Sequence, residues 1–493
     1  MSDDLDFEME VVESDELDEL DASGTQNSDG SEDTTQDLEM EDLRSSNLRE
    51  EASSEEITSD NEAPAINPNV EGWSRISLGE FATFQNGNAF SKSDWKEDGY
   101  PIIRIQNLTG EADEYNYYGG DLEHRYRVEP GDILLTWSGT IGVFKWEGPT
   151  AALNQHIFNV ETREEVNDSF FHFKLEELIP QLEALSHGST MKHVRKADLV
   201  NIDVELPPLP EQRKIASVLY TVDQAIQKTE AIIEQTKRVK RGLMQRLLTR
   251  GIGRNNRIRP PSSNNQNLYT DTRYGPISNS WNILRVSDIV EEDRPVTYGI
   301  VQPGEYTEGG VPLIRGQNYI NGWDPLSNFF RVDPELHEKY SRCITRPGDV
   351  LICIAGANTG SISIVPEWVE EANLTQTTAR VSVDEEVALP EYIHFALTSS
   401  IVQKQIAGWT RGSAQPGLNL SRVEKFKVPI PPKEEQEKIV ARLEAVSNVI
   451  TGEEDLADRL SKVKNGLKQD LLTGEVRTAD KAIDVLDEVV AHG

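Results

Sequence analysis

Residues 211–249 read "EQRKIASVLYTVDQAIQKTEAIIEQTKRVKRGLMQRLLT", and residues 435–473 read "EQEKIVARLEAVSNVITGEEDLADRLSKVKNGLKQDLLT". The two stretches align without a gap and are identical at 16 of 39 positions. Apolar residues recur in both at alternating steps of four and three. In the first copy the seam is Ile215, Leu219, Val222, Ile226, Thr229, Ile233, Thr236, Lys240, Leu243 and Leu247. In the second it is Ile439, Leu443, Val446, Ile450, Glu453, Ala457, Leu460, Lys464, Leu467 and Leu471. This spacing makes a narrow helical seam rather than a broad core face. Each segment would form a helix of about 58 Å at 1.5 Å per residue. Because one chain carries the same seam twice, the two helices are expected to pair with each other rather than pack on separate domains. The polar seam residues Thr229, Thr236 and Glu453 are expected to fix register at some cost in stability. Prolines punctuate each start, in "PPLPEQRKI" (207–215) and "PPKEEQEKI" (431–439).

The duplication extends upstream, more loosely. "WSRISLGE" (73–80) is echoed by "WNILRVSD" (281–288), and "GYPIIRIQNLTG" (99–110) by "GVPLIRGQNYIN" (310–321). Likewise "VEPGDILLTWSGTIG" (128–142) matches "TRPGDVLICIAGANTG" (345–360), and "ALNQ" (152–155) matches "NLTQ" (373–376). The offset drifts from 208 to 221 along these pairs and reaches 224 at the long segments, as surface loops allow. Short β-rich runs bounded by Gly, Pro and Asn predict strands and turns, while residues 168–185 and 390–407 look helical. The fold class is α+β, with two β-rich domains alternating with two long helices that pair as an antiparallel coiled coil. The expected order is an acidic disordered tail (1–68), domain 1 (69–206), spacer helix 1 (207–250) and a basic linker (251–274). Domain 2 (275–430), spacer helix 2 (431–474) and a C-terminal extension (475–493) follow.

Of the 493 residues, the first 62 hold 24 Asp/Glu against Arg44 and Arg49. That tail carries −22 of the net charge of −36 and lacks the apolar surface to offset its ordering entropy. The remaining −14 points to a salt-adapted organism or to a partner carrying the positive surface, with salt adaptation favoured. No apolar run reaches membrane-spanning length, the acidic N-terminus is no secretory signal, and Cys343 and Cys353 are too few for a disulfide framework. A cytoplasmic protein is expected.

Motifs for catalysis were sought among phosphate loops, dinucleotide fingerprints, metal spacings and nucleophile elbows, and none occurs. The chain therefore reads as non-catalytic and without a metal. Nucleic-acid binding has indirect support. Residues 236–260 contain nine Lys/Arg and no acid, among them Lys237, Arg238, Arg241, Arg246 and Arg250. Such a stripe suits phosphate, an acidic partner, or the dipole of the helix it ends. Polar side chains able to read base edges cluster in the shared motifs: Arg104, Gln106 and Asn107 against Arg315, Gln317 and Asn318. Asn154, Gln155 and His156 stand against Thr375, Gln376 and Thr377. Residues common to both copies suit a scaffold better than a reader. Lys192, His193 and Arg195, opposite a segment containing Arg411 and Gln415, are therefore the better specificity candidates.

The double "PPxxEQ" start, the preceding "HGST" and "RGSA", the following "GLMQRLLT" and "GLKQDLLT", and the "PGDILLT"/"PGDVLIC" pair resemble the DNA specificity subunit of a type I restriction–modification system. The resemblance covers roughly residues 70–475. It implies two target recognition domains, each reading one half of an asymmetric, bipartite site on double-stranded DNA. It further implies antiparallel spacer helices that set the gap, and two modification (methyltransferase) subunits docked on a near-symmetric frame. A restriction (translocase–nuclease) subunit would join them. S-adenosylmethionine, ATP and Mg would then belong to the partners, and none to this chain. A duplicated protein-interaction scaffold without DNA specificity is the alternative.

Overall fold

The computed structural model describes residues 70–186, 193–410 and 417–478. In each half, the strand after the opening Trp pairs antiparallel with the strand that runs into the long helix. Ser74–Ser77 lies on Asp203–Leu206, and Asn282–Arg285 lies on Lys427–Ile430. Each globular part thus begins and ends at one place, where its long helix departs.

Two small sheets build each part. The first is four-stranded and antiparallel, ordered Ala82–Asn86, Ile157–Thr162, Ile133–Thr136, Gly142–Lys145 in one half. The other half has Thr297–Tyr298, Thr378–Val381, Val350–Cys353, Ile362–Ile364. The inner strands "ILLT" and "VLIC" are buried at every position, because both of their faces are covered. The second sheet contains a parallel pairing at the same place in both halves, Ile102 beside Ala152 and Leu313 beside Asn373. Helix α1 (Asp168–Leu185) is started by the Asn167 side chain, which accepts from the Phe170 N–H. The matching segment of the second half breaks at the extended Ser399 into α3 (Pro390–Thr398) and α4 (Ser400–Thr410).

The long helices are α2 (Leu209–Leu247) and α5 (Lys433–Leu472). They run antiparallel. Ile215, Ala216 and Leu219 at the start of α2 pack with Leu471 and Leu472 at the end of α5. Leu247, with Leu243 beside it, joins Ile439 and Leu443 in the other core. Ile215, Leu219, Leu247, Ile439, Leu443, Ile450 and Leu471 are buried, and Val222, Ile226, Leu243, Val446 and Leu467 are half-buried. Across the pair, Lys464 meets Asp223 at 2.6 Å and Lys237 meets Glu454 at 2.9 Å. Thr229 was expected to set register, but its hydroxyl donates to Ala225 O of its own helix at 2.9 Å.

The repeated Glu-Gln at each helix start has a division of labour. Gln212 accepts from the Asn167 N–H at 2.8 Å and donates to Pro207 O at 2.9 Å, fastening α2 to its own domain. Gln436 does the same with Leu389 N–H (2.8 Å) and Pro431 O (2.9 Å). The glutamates reach the other half. Glu211 accepts two bonds from Arg477, each at 2.8 Å, and one from Trp73 Nε1 at 3.1 Å. Glu435 accepts from both Arg259 nitrogens, Nη2 at 2.9 Å, and from the Ile252 N–H at 2.8 Å. Arg477 follows α5 and Arg259 follows α2, so each helix start is clamped by the segment beyond the other helix's end. Of the basic segment 251–274, Gly251 and Ile252 are buried, Ile252 in the core of the second half, and most of the remainder is exposed.

Candidate nucleic-acid interface

In the second half, the turn after Val350–Cys353, the segment after Asn373–Leu374 and the loop around Ile300 enclose a cleft of about 390 Å³. Arg315, Gln317, Gln376 and Thr377 all line it, so four sequence-predicted readers converge on one surface. Gln317 and Gln376 are exposed; the Arg315 guanidinium is held over the Phe330 ring at 4.0 Å. A backbone crossing forms one wall: the Ile300 N–H donates to Leu374 O at 2.6 Å and the Gln376 N–H to Ile300 O at 3.0 Å. Gly299 permits this approach, since a Cβ there would stand 1.7 Å from Leu374 O. Gly87 has the same role in the first half, 2.1 Å from Asn154 O. Sequence reasoning passed over both glycines, although each follows a β-rich run.

Asn107 and Asn318 were expected to read bases and instead hold their loops. Asn107 Oδ1 accepts from the Arg104 N–H at 3.1 Å, and its amide donates to Ala112 O and Glu114 O. Asn318 Oδ1 accepts from the Arg315 N–H at 2.9 Å, and its amide donates to Asp324 at 3.0 Å. Both side chains are spent inside the fold, and Asn318 is buried. In the first half Gln106, Gln155 and Arg195 are exposed and Asn154 is half-buried. Arg104 lies 5.9 Å over Trp95 with its Nε buried and unpartnered. His156 and His193 flank Trp137, ring centroids 5.4 and 6.0 Å away. Lys192, Arg411 and Gln415 lie outside the described residues.

The basic stripe divides. Lys237 is taken by Glu454 of the opposite helix, which is a correction to its expected phosphate role. Lys240, also in the stripe, is driven toward its neutral form by burial. Arg238 and Arg241 are exposed, and Arg246 and Arg250 half-buried at the helix end. They remain available for an anionic surface.

A grouping of buried Cys343, Asn373 and His337 with the exposed Glu371 superficially suggests a nucleophile. The thiol, however, donates to Asn373 Oδ1 at 3.3 Å, and it is Asn373 that meets His337, at 2.7 Å. Burial pushes the Cys343 thiol up, away from the reactive thiolate. Among the described residues no group of His, Cys, Asp and Glu is arranged to hold a metal, and no helix is long and apolar enough to cross a membrane.

Two copies of one frame, each with polar side chains at the rim of a backbone crossing, joined by a clamped helix pair, define a recognition scaffold. Comparison with known proteins agrees. The family described as "Type I restriction modification DNA specificity domain" matches residues 70–238 and 280–462. The chain belongs to that family: it is a type I restriction–modification specificity subunit, non-catalytic, the catalytic activities residing in other subunits. It is 29% identical to the type I restriction enzyme EcoBI specificity subunit of Escherichia coli over 83% of this chain and 86% of that protein. With the type I restriction enzyme MjaVIII specificity subunit of Methanocaldococcus jannaschii it shares 25% over 83% and 93%. The crystal structure of a type I restriction–modification S subunit from M. genitalium shares the fold, with a TM-score of 0.53 at 16% identity over 83% of this chain and 97% of that one.

Proposed function

We propose that each globular part reads one half of an asymmetric, bipartite site on duplex DNA, while the helix pair sets the unread gap and docks two modification (methyltransferase) subunits. A restriction (translocase–nuclease) subunit joins that assembly, and S-adenosylmethionine, ATP and Mg serve in the partners. The work is done in the cytoplasm, where the DNA is. The observation that carries this reading is one backbone frame used twice with different side chains at its rims, mounted on a rigid rod. The rod of 39 and 40 residues spans about 60 Å at 1.5 Å per residue. That length corresponds to about 1.7 DNA turns, at ~34–36 Å per turn.

Docking on the helices has its own support. Beside the buried seam each helix carries a second apolar stripe that faces water: Ile232 and Val239 on α2, Leu456 and Val463 on α5, all between 43% and 51% exposed. The two stripes are related by the same 224-residue offset, and exposed apolar rows of this kind mark interfaces. Ile232→Ser with Val239→Ser is expected to leave the chain's melting temperature within about 2 °C, as surface changes do. The same variant should bind one modification subunit instead of two, read as the mass of the purified complex.

The test of recognition itself offers random duplex DNA to the complex of this chain with its modification partner. Enrichment of a split motif is expected. Inserting one heptad in each spacer helix should lengthen the gap by about three base pairs, from ~10 Å of added rod, and leave both half-sites intact. Failure to enrich any split motif would favour a protein-interaction scaffold.

A further inference from the structure

The two recognition frames can be superimposed by their hydrogen bonds alone. In the first half the Trp137 N–H donates to His156 O at 3.3 Å, and the Val194 N–H donates to Trp137 O at 3.0 Å. In the second the Ile354 N–H donates to Thr377 O, and the Leu418 N–H to Ile354 O, both at 2.8 Å. A backbone bridge completes each frame, Ser138 with His193 and Ala355 with Gly417. Positions 137, 156 and 193 therefore correspond to 354, 377 and 417, irrespective of the loops that differ between the halves.

Around this frame the side chains fall into two sets. Arg104, Gln106 and Gln155 recur as Arg315, Gln317 and Gln376. Trp137, His156 and His193 are replaced by Ile354, Thr377 and Gly417. Thr377 and its shared neighbours line the open cleft of the second half, so the frame places this position at the reading surface, while Ile354 is buried in the core beneath it.

We infer that Trp137, His156 and His193 determine the base preference of the half-site read by the first domain, and that Thr377 does so for the second. The inference rests on the proposed reading of a split DNA site. The chemistry of the two sets differs as readers of different bases should. The first offers imidazole nitrogens beside the Gln155 amide, whose Nε2 lies 3.1 Å from His156 Nε2. Trp137 fixes the rings: it stacks on Phe158 at 5.8 Å, and its Nε1 donates to Asn86 at 3.1 Å. Burial and the neighbouring His193 both push His156 toward its neutral form, in which one ring nitrogen accepts while the other donates. The Nδ1 atoms of both histidines are buried without a partner, so any contact with a base falls to their Nε2 edges. The second set offers the Thr377 hydroxyl, 2.9 Å from that of Thr375, suited to a hydrogen bond with a base edge.

The test replaces the first set by the second, Trp137→Ile with His156→Thr and His193→Gly, residues already compatible with that backbone frame. The full complex with its modification partner is offered random duplex DNA. One half of the enriched motif is expected to change or lose preference at one or more base pairs by about 10-fold, the weight of a good base contact. The other half and the gap should be unchanged. His156→Thr alone, at a half-buried position, gives the same readout if the triple variant does not fold. Both half-sites retained at full strength, or both weakened equally, would overturn the inference. If the wild-type complex enriches no split motif, the proposed function fails along with it.

Discussion

Glu435→Ala is expected to destabilise the protein by about 3–5 kcal/mol, the cost of removing one partner of a buried ion pair. Arg259, 17% exposed at its side chain, would keep its charge without a counter-ion, and the Ile252 N–H would lose its acceptor. Glu211→Ala should have a similar effect, because it takes the carboxylate from Arg477 and the acceptor from the Trp73 Nε1–H. Denaturant unfolding measures both. Glu434→Ala, which breaks only the exposed pair with Lys438, should change stability by less than about 0.5 kcal/mol. Equal small effects at all three sites would refute the clamp. The clamps also set an acid limit. Burial pushes Glu211 up, but Arg477 and Trp73 outweigh it and hold the carboxyl below its usual 4.5. Partial burial likewise pushes Glu176 up, yet His172 and Lys468 bring it down to about 2. A carboxylate depressed in the folded state adds stability above its unfolded pKa and loses it as pH falls through the folded one. Stability should therefore hold above pH 4.5 and decline between there and about 2. In Lys468→Met that decline should be shallower.

Gly299→Ala should cost at least about 2 kcal/mol, as overpacking against backbone does, and should remove recognition at one half-site only. The new methyl would collide with Leu374 O, a carbonyl held in a backbone crossing and unable to swing away. Relief requires the segment leading into Thr375, Gln376 and Thr377 to move, and these residues line the cleft. Gly87→Ala should damage the other half-site by the same collision, with Asn154 O. Gly466→Ala is the control: beyond the backbone of its own helix α5 nothing lies within 4 Å of the added Cβ, and a helical Gly-to-Ala change should stabilise by up to about 1 kcal/mol. Motif enrichment with each complex, alongside its melting curve, separates the three outcomes. Loss of both half-sites by Gly299→Ala would show that the domains do not read independently.

The convergence of Arg315, Gln317, Gln376 and Thr377 was foreshadowed by their clustering in the shared motifs, but their separate roles were not. Asn318 stands three residues from Arg315 and is as capable of reading adenine, yet its amide closes the loop that presents the arginine. Lys237 lies in the longest basic run of the chain and is neutralised by Glu454, more than two hundred positions later. Trp137, a strand-end residue by pattern, acquires meaning only when His156 and His193 are brought to either side of it.

What the sequence alone determined is whatever repeats along one dimension: the duplication, the length of the two rods, their apolar seam, and the prolines that start them. Periodicity and identity are local properties, and a helix of strict spacing has one face to bury. Tertiary structure alone decided which polar groups are spent and which remain free. A side chain reads DNA only if its hydrogen bonds are not already taken within the fold, and those partners lie far along the chain. Glu211 and Gln212 are adjacent, yet one fastens its own domain and the other clasps the far end of the opposite helix.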